Sequence, residues 1–461
     1  MIAVKKVFKA LFNIEPQERL KILFLSISFF LIIGAYTITR ELKSSLFMGI
    51  VGLKYVPWAK FVTMGLLVPL IFFYSKLVDS VSRYQLLSWY CAFYGLAGLF
   101  FAYYIGDPII GIPNSETSPY RLLGWLFYFF IESYTPFVVS VFWAFANSIT
   151  TPDGARKNYG FIVSGSKLGG MFTSGFAWYL FGISGNHQAA VFSDVTAHQI
   201  ILVLSSAMLL CVPLALYLLM KFVPSDHLHG YEAAYQLEKK KEASGKDSGG
   251  VFAGIDMFGK YPYVFGIFLL VFFYELLNVV LGYLRLGVAE ANAQNISDVS
   301  RLLFEMMFKT HAIGLIISAL GTRTLFQMLG TTLCLLLVPL LNGLFLLYLM
   351  VETTPTVLVN AFVLFKALHY AFSWPLRESL YIPTVKEIKF KSRSWVDAFG
   401  SKIARTAGSM FNVIAASMGS KLLLPMHSFF FALVVGAWFL VSFMLGRKFE
   451  QAVRDNEVIG S

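Results

Sequence analysis

Long apolar runs separated by short polar connections recur along the whole chain, at about 21–48, 55–79, 84–106, 120–149, 157–183, 197–223, 262–288, 302–320, 324–350, 355–381, 394–420 and 424–447. A helix needs about 20 apolar residues to cross the hydrocarbon core of a bilayer, so the pattern predicts twelve spanning helices. One polar segment is long. Residues 224–260, rich in Lys, Glu, Ser and Gly, divide the runs into two sets of six and read as a flexible linker. The expected organisation is a cytoplasmic N-terminal segment at 1–20, a six-helix bundle at 21–223, the linker, a second bundle at 261–448, and a tail at 449–461.

Composition agrees with the pattern. Of the 461 residues 57% are hydrophobic and 14% charged, against about 25% charged in a soluble domain. Cys91, Cys211 and Cys334 stand far apart in apolar runs and are expected to be small core residues rather than metal ligands. Lys5, Lys6 and Lys9 precede the first run, but no small-residue cleavage site follows, so the run is expected to be retained as a helix. Val4, Phe8, Leu11 and Phe12 recur at helical spacing opposite the lysines, which suits a helix over 2–14 lying on the inner membrane surface.

The net charge of +11 has to be placed. Lys76, Arg83, Arg156, Lys157, Lys239 to Lys241, Arg323, Lys386 to Arg393, Arg447 and Lys448 fall on the side of the N-terminal lysines, whereas loops 107–120, 184–196, 289–300 and 351–355 contain no Lys or Arg. The positive-inside rule then puts both termini and the linker in the cytoplasm, as for a multi-pass protein of a bacterial inner membrane.

The two halves repeat. Gly165-Ser166-Lys167 and Gly400-Ser401-Lys402 are 235 residues apart, and the same offset lays Arg40 over Glu275. Two six-helix pseudo-repeats in an all-α polytopic membrane protein are the mark of a major-facilitator-like fold, with substrate expected between the halves near mid-membrane.

A charge at the centre of a spanning helix costs about 2.5–3.5 kcal/mol on insertion scales, so charges kept there tend to face a cavity and act in it. Tyr36, Arg40 and Lys43 share one helical face. Arg40 and Lys43 either line the cavity or snorkel to the outer interface. Glu132 and Lys167 lie in the fourth and fifth runs; Glu275 and Arg285 in the seventh; Lys366, His369, Arg377 and Glu378 in the tenth; Asp397, Lys402 and Arg405 in the eleventh. Glu132 and Glu275 are read either as functional or as buried structural ion-pair partners. The cations outnumber the acids, which suits a polyanion with phosphate oxygens, and neighbouring aromatics such as Tyr36, Tyr134 and Tyr274 suit a nucleobase. No Walker loop, HExxH, paired CxxC or GxSxG is present, so an enzyme is not expected.

These residues resemble the nucleotide transporters (ATP/ADP translocases) of plastids and obligate intracellular bacteria. Arg40-Glu-Leu-Lys-Ser-Ser-Leu46 is similar to that family's R-x-L-K-D-S-L, and Glu132 followed by Phe142-Trp-Ala-Phe-Ala-Asn-Ser-Ile-Thr150 to its glutamate and F-W-x-F-A-N-x-I-T, which brings in Asn147. Pro375-Leu-Arg-Glu-Ser-Leu-Tyr-Ile-Pro383 is similar to its P-x-K-E-x-x-Y-I-P, and Gly400-Ser-Lys-Ile-Ala-Arg-Thr-Ala-Gly-Ser409 to its G-S-R-L-G-K-S-G-G-S. The resemblance implies that Lys43, Glu132, Glu275 and Arg377 stand at positions important for transport. This chain departs from the pattern at Ser44 (Asp in the family), at Arg377 (Lys), and at Lys402 and Arg405, which reverse its Arg and Lys. Lys167 adds a charge, and the Lys expected shortly after Glu275 is missing.

The expected function is ATP/ADP exchange by alternating access. Proton-coupled import of other nucleotides, transport of another phosphorylated or anionic metabolite, and a non-transporting membrane receptor or assembly protein are the alternatives. Substrate contacts are expected from Tyr36, Arg40, Lys43, Glu132, Asn147, Lys167, Glu275, Arg377, Lys402 and Arg405. No cofactor, metal or nucleic-acid partner is expected, and the carrier is expected to work in the bilayer as a monomer.

Overall fold

A computed structural model describes residues 16–63, 65–66, 81–150, 152–184, 190–224, 228, 258–352, 354–381, 383–384, 396, 400–418, 420–455 and 457–460. The amphipathic segment expected over 2–14, most of the linker, much of the second apolar run and the Lys386–Arg393 cluster lie outside these residues. Among those described, the chain is helical, with isolated bridges at Ser184–Phe192 and Thr384–Ile459 and no strand. The helices are α1 (Pro16–Ile50), α2 (Arg83–Tyr104), α3 (Leu122–Tyr134), α4 (Ser140–Ser148), α5 (Pro152–Gly182), α6 (Asp194–Phe222), α7 (Pro262–Ala291), α8 (Ile296–Val351), α9 (Pro355–Leu368), α10 (Trp374–Ser379), α11 (Ser401–Ser417) and α12 (Ser420–Arg454). Eight helical stretches among the described residues are long and apolar enough to cross a membrane.

The runs at 302–320 and 324–350, expected as two spans, fall in the single helical stretch α8. Straight, its 56 residues would reach roughly 84 Å, well beyond a hydrocarbon core of about 30 Å. Gly330, at φ 74°, supplies a left-handed break that a residue with a Cβ adopts only with strain. The fourth and tenth runs depart from regular helix in a matching way. Between α3 and α4 lies a π turn at Thr135–Val139, and between α9 and α10 another at His369–Ser373, displaced by nearly the offset of the sequence repeat. Proline gives the local reason. Pro136 has no N–H for the carbonyl of Glu132, and Pro375 has none for that of Ala371, so in each run the α-helical ladder loses a rung where the π turn lies.

The chain divides into two compact units. The first holds residues 1–59, 65–247 and 289–311, and the second holds 60–64, 248–288 and 312–461. In the first unit α5 crosses α1 through small residues one turn apart. A Cβ on Gly165 would lie 3.0 Å from the Ser26 carbonyl oxygen, one on Gly169 would lie 3.1 Å from the Phe30 carbonyl carbon, and Thr173 donates to the Gly34 carbonyl at 3.2 Å. Lipid tails are as apolar as leucine, so such backbone approach, rather than the hydrophobic effect, holds spanning helices together. Helices α2 and α6 meet the same way, at Gly95 and Gly98 against Ser206. In the second unit Gly408 of α11 packs on the Leu276 carbonyl of α7, and Gly266 of α7 packs on Leu445 of α12.

Cys91 and Cys334 are buried as expected, but Cys211 is exposed. In a bilayer the lipid-facing side of a helix is apolar too, so an apolar run does not distinguish core from surface. Outside the spans, Asp107 accepts hydrogen bonds from the N–H groups of Ile109 and Ile110, at 2.8 and 3.0 Å. The Ile110 N–H, then the Ile109 N–H, hold its carboxyl below the usual range. Arg121, one residue beyond loop 107–120, donates to the carbonyls of Ile110, Gly111, Asn114 and Glu116 and so ties that loop to the start of α3.

If the α5–α1 crossing holds the first unit, Gly169→Val overpacks it by about 1–3 kcal/mol and lowers the unfolding temperature in detergent. Gly436→Ala, at a position with nothing within 4 Å, leaves it unchanged.

Candidate functional site

In the first unit α1 carries Arg40, Glu41 and Lys43. Lys43 is buried, and its ammonium donates to the carboxylate of Glu132 on α3 in a short contact, 4.6 Å from the centre of the Tyr128 ring. Buried and bonded to Glu132, Lys43 does not snorkel to the interface. Arg40, half-buried, gives its Nε to Glu41 at 3.1 Å and brings Nη2 within 3.2 Å of the Met307 sulfur. Its guanidinium lies 5.5 Å from the ring of Tyr36, and Tyr36 stacks on Tyr134 at 5.4 Å. Tyr134 is fully buried and anchored by its hydroxyl to the Ile32 carbonyl at 2.9 Å. The Tyr36–Arg40–Lys43 face therefore rests on a fixed aromatic floor.

Glu41 escaped the sequence reading. It stands one residue, and about 100° of helix, off the Tyr36–Arg40–Lys43 face, yet its side chain is wholly buried against Arg40. Lys167 sits half-buried on α5. Asn147 is exposed at the end of α4 and accepts a hydrogen bond from the Tyr159 hydroxyl at 2.5 Å. Fifteen residues separate it from Glu132, roughly 22 Å of helix, so it is not part of the Lys43–Glu132 cluster.

The second unit carries a second pair with the signs interchanged. Glu275 of α7 takes both Nε and Nη2 of Arg405 on α11, at 2.9 and 3.2 Å, and a third hydrogen bond from Asn278 at 3.1 Å. The fork-on-fork geometry is the one guanidinium and carboxylate share best. Asn278, three residues on, lies on the same helical face and could have been read from that spacing. Lys366 is buried on α9 with its ammonium 5.6 to 6.0 Å from the rings of Tyr370, Tyr274 and Phe362, a cation–π surround, and it acts electrostatically on Glu275. Next to it His369 stacks on Tyr274 at 3.4 Å, and Tyr274 on Phe365 at 5.0 Å. Arg285 lies 4.4 Å over the Phe362 ring. Arg377, half-buried on α10, acts electrostatically on His369. Lys402 is half-buried in the first turn of α11. The side chains of Glu378 and Asp397 fall outside the described residues.

Glu132 precedes its π turn by three residues, and Lys366 precedes the other by the same number. An acid in the first unit and a base in the second thus occupy equivalent places. Each lies near a partner of opposite sign in its own unit: Lys43 on α1 for Glu132, Glu275 on α7 for Lys366. A π turn shifts the side-chain register and is often found at functional sites. Among the described residues no group of three His, Cys, Asp or Glu could hold a metal ion.

A sequence profile of the family described as TLC ATP/ADP transporter matches residues 123–449. The ADP,ATP carrier protein 1 of Chlamydia pneumoniae is 23% identical over 97% of this chain and 95% of its own length. The chloroplastic ADP,ATP carrier protein 1 of Arabidopsis thaliana is also 23% identical, over 97% of this chain and 77% of its own. Among solved structures, a D-xylose-proton symporter superposes with a TM-score of 0.64 at 12% identity, over 92% of this chain and 96% of that one. That likeness shows the fold, a membrane-embedded helical bundle of major-facilitator type. Family and fold together make the chain a carrier rather than an enzyme.

If Glu275 and Arg405 act as one unit, each of Glu275→Gln and Arg405→Gln lowers the unfolding temperature and the double variant is no worse than the poorer single one. A thermal double-mutant cycle should return a coupling of about 0.5–3 kcal/mol; additive losses would show that the two side chains do not support each other.

Proposed function

The chain belongs to the TLC ATP/ADP transporter family, and from that membership we propose that it exchanges ATP for ADP by alternating access. It does so as a monomer of twelve spans in two six-helix repeats, with both termini on the cytoplasmic side of a bacterial inner membrane. The observation that carries the reading is the pairing of Lys43 with Glu132 inside the first unit. An isolated cation in hydrocarbon is costly, and a carboxylate partner offsets part of that cost.

A phosphate oxygen brings the same sign of charge as a carboxylate. When a nucleotide arrives, its phosphates take over Lys43 and Arg40 from Glu132 and Glu41; in the second unit Arg405 is open to the same competition with Glu275, and Arg377 adds positive charge near His369. Tyr36 supplies an aromatic face beside Arg40. Lys167 and Lys402, at matching places in the two repeats, add positive charge. Glu132 and Glu275 hold the cations while the carrier is empty.

Exchange follows from the same electrostatics. These cations outnumber the carboxylates that hold them, so closing the empty site removes water from a net positive charge, and reorientation is fast only when an anion is bound. The mechanism needs no covalent step.

Labelled ATP should enter proteoliposomes loaded with ADP and enter empty ones at least about tenfold more slowly, the factor expected if an empty carrier meets an extra barrier of about 1.4 kcal/mol. Lys43→Ala and Arg377→Ala should abolish entry while the protein remains folded. Equal entry into empty vesicles under a proton gradient would replace exchange with proton-coupled import. Nucleotide binding without any flux would point to a receptor.

A further inference from the structure

Gly170 of α5 stands against an imidazole. A Cβ at this position would lie 2.8 Å from both Cε1 and Nε2 of His311 and 3.2 Å from the Thr37 hydroxyl, so the ring of His311 occupies the space that any side chain at 170 would need. His311 stands on α8 one turn after Met307, whose sulfur touches Arg40. Gly170 stands three residues, less than one turn, after Lys167. These two registers place the imidazole where Arg40 of α1 and Lys167 of α5 both act on it electrostatically, together with Glu41.

The local balance is two cations and one carboxylate, and that carboxylate is bonded to the Nε of Arg40. Arg40 and Lys167 thus lie within electrostatic reach of the His311 imidazole, and the three side chains, from three helices of the first unit, give this region a net positive charge. A diphosphate presents several anionic oxygens within a few ångströms, and matching donors that come from separate rigid helices fix such a group more firmly than one flexible lysine can. An imidazole N–H adds a donor at lower desolvation cost than a third full charge.

We propose that His311 binds the phosphate chain of the substrate, forming with Arg40 and Lys167 a three-armed cradle in the first unit. Gly170 is the position that admits the imidazole to the cradle. The proposal deepens the nucleotide reading above and rests on it for the identity of the natural ligand, but the cradle itself recognises a diphosphate.

Calorimetric titration of the full-length protein in detergent with inorganic pyrophosphate, and separately with ADP, tests it. The wild type should bind both. His311→Leu should weaken both by about tenfold or more, the cost of losing one hydrogen bond to a charged group. His311→Gln, which keeps a donor, should stay within about threefold. Gly170→Ala, which displaces the ring without removing it, should weaken binding as well; this variant carries the test if His311→Leu fails to fold. Pyrophosphate binding by His311→Leu at wild-type strength would overturn the cradle, as would a wild type that binds ADP but shows no loss in either His311→Leu or Gly170→Ala. A wild type that binds pyrophosphate, with the predicted losses, but neither ADP nor ATP would sustain the cradle and sink the nucleotide reading.

Discussion

The ammonium of Lys43 and the carboxylate of Glu132 meet inside a helical unit, where neither charge could stand alone. Everything else around them is arranged so that each can be present. Tyr128 gives the ammonium a ring face, and Tyr134 fixes the aromatic floor on which Arg40 rests through Tyr36. The glycines of α5 bring that helix onto α1. Removing one member of a buried pair costs about 3–5 kcal/mol, because the other is left uncompensated. In the proposed exchange a phosphate compensates the ammonium in place of the carboxylate, and the displaced Glu132 has to be met by water, a proton or another cation.

The second unit repeats the pair with its signs interchanged. The place before the π turn holds Glu132 in one unit and Lys366 in the other, and α1 and α7 supply the opposite charge. The backbone feature is shared and the charges differ. Arg405 has a glycine, Gly170, at its equivalent place one repeat earlier. In the second unit that place supplies the cation that grips Glu275, and in the first it leaves room for His311.

Much of this was legible in the sequence. Apolar runs of spanning length marked the helices, and charges inside those runs marked Arg40, Lys43, Glu132, Glu275 and Arg405 before any contact was known, because hydrocarbon makes such charges conspicuous. Which charge meets which was not legible. Arg405 lies 130 residues from Glu275, a separation that no periodicity encodes. Glu41 was masked by its neighbour Arg40, since a face-by-face reading passes over a residue 100° away. His311 was hidden for another reason: a lone histidine in an apolar run ordinarily reads as packing, and only the glycine opposite it reveals the space it fills. The π turns could have been suspected from Pro136 and Pro375, but a proline announces a disturbed helix without saying which disturbance. Apolar character alone also misplaced Cys211, because the bilayer rewards the same residues on the outside of the bundle as the core does within.

The central claim is that substrate phosphate and the Glu132 carboxylate compete for Lys43. A structure of the protein with ADP bound tests it most directly. The expected result is a phosphate oxygen within hydrogen-bond distance of the Lys43 ammonium, with the Lys43–Glu132 contact opened beyond salt-bridge distance. ADP bound with that pair intact and no phosphate near Lys43 would contradict it.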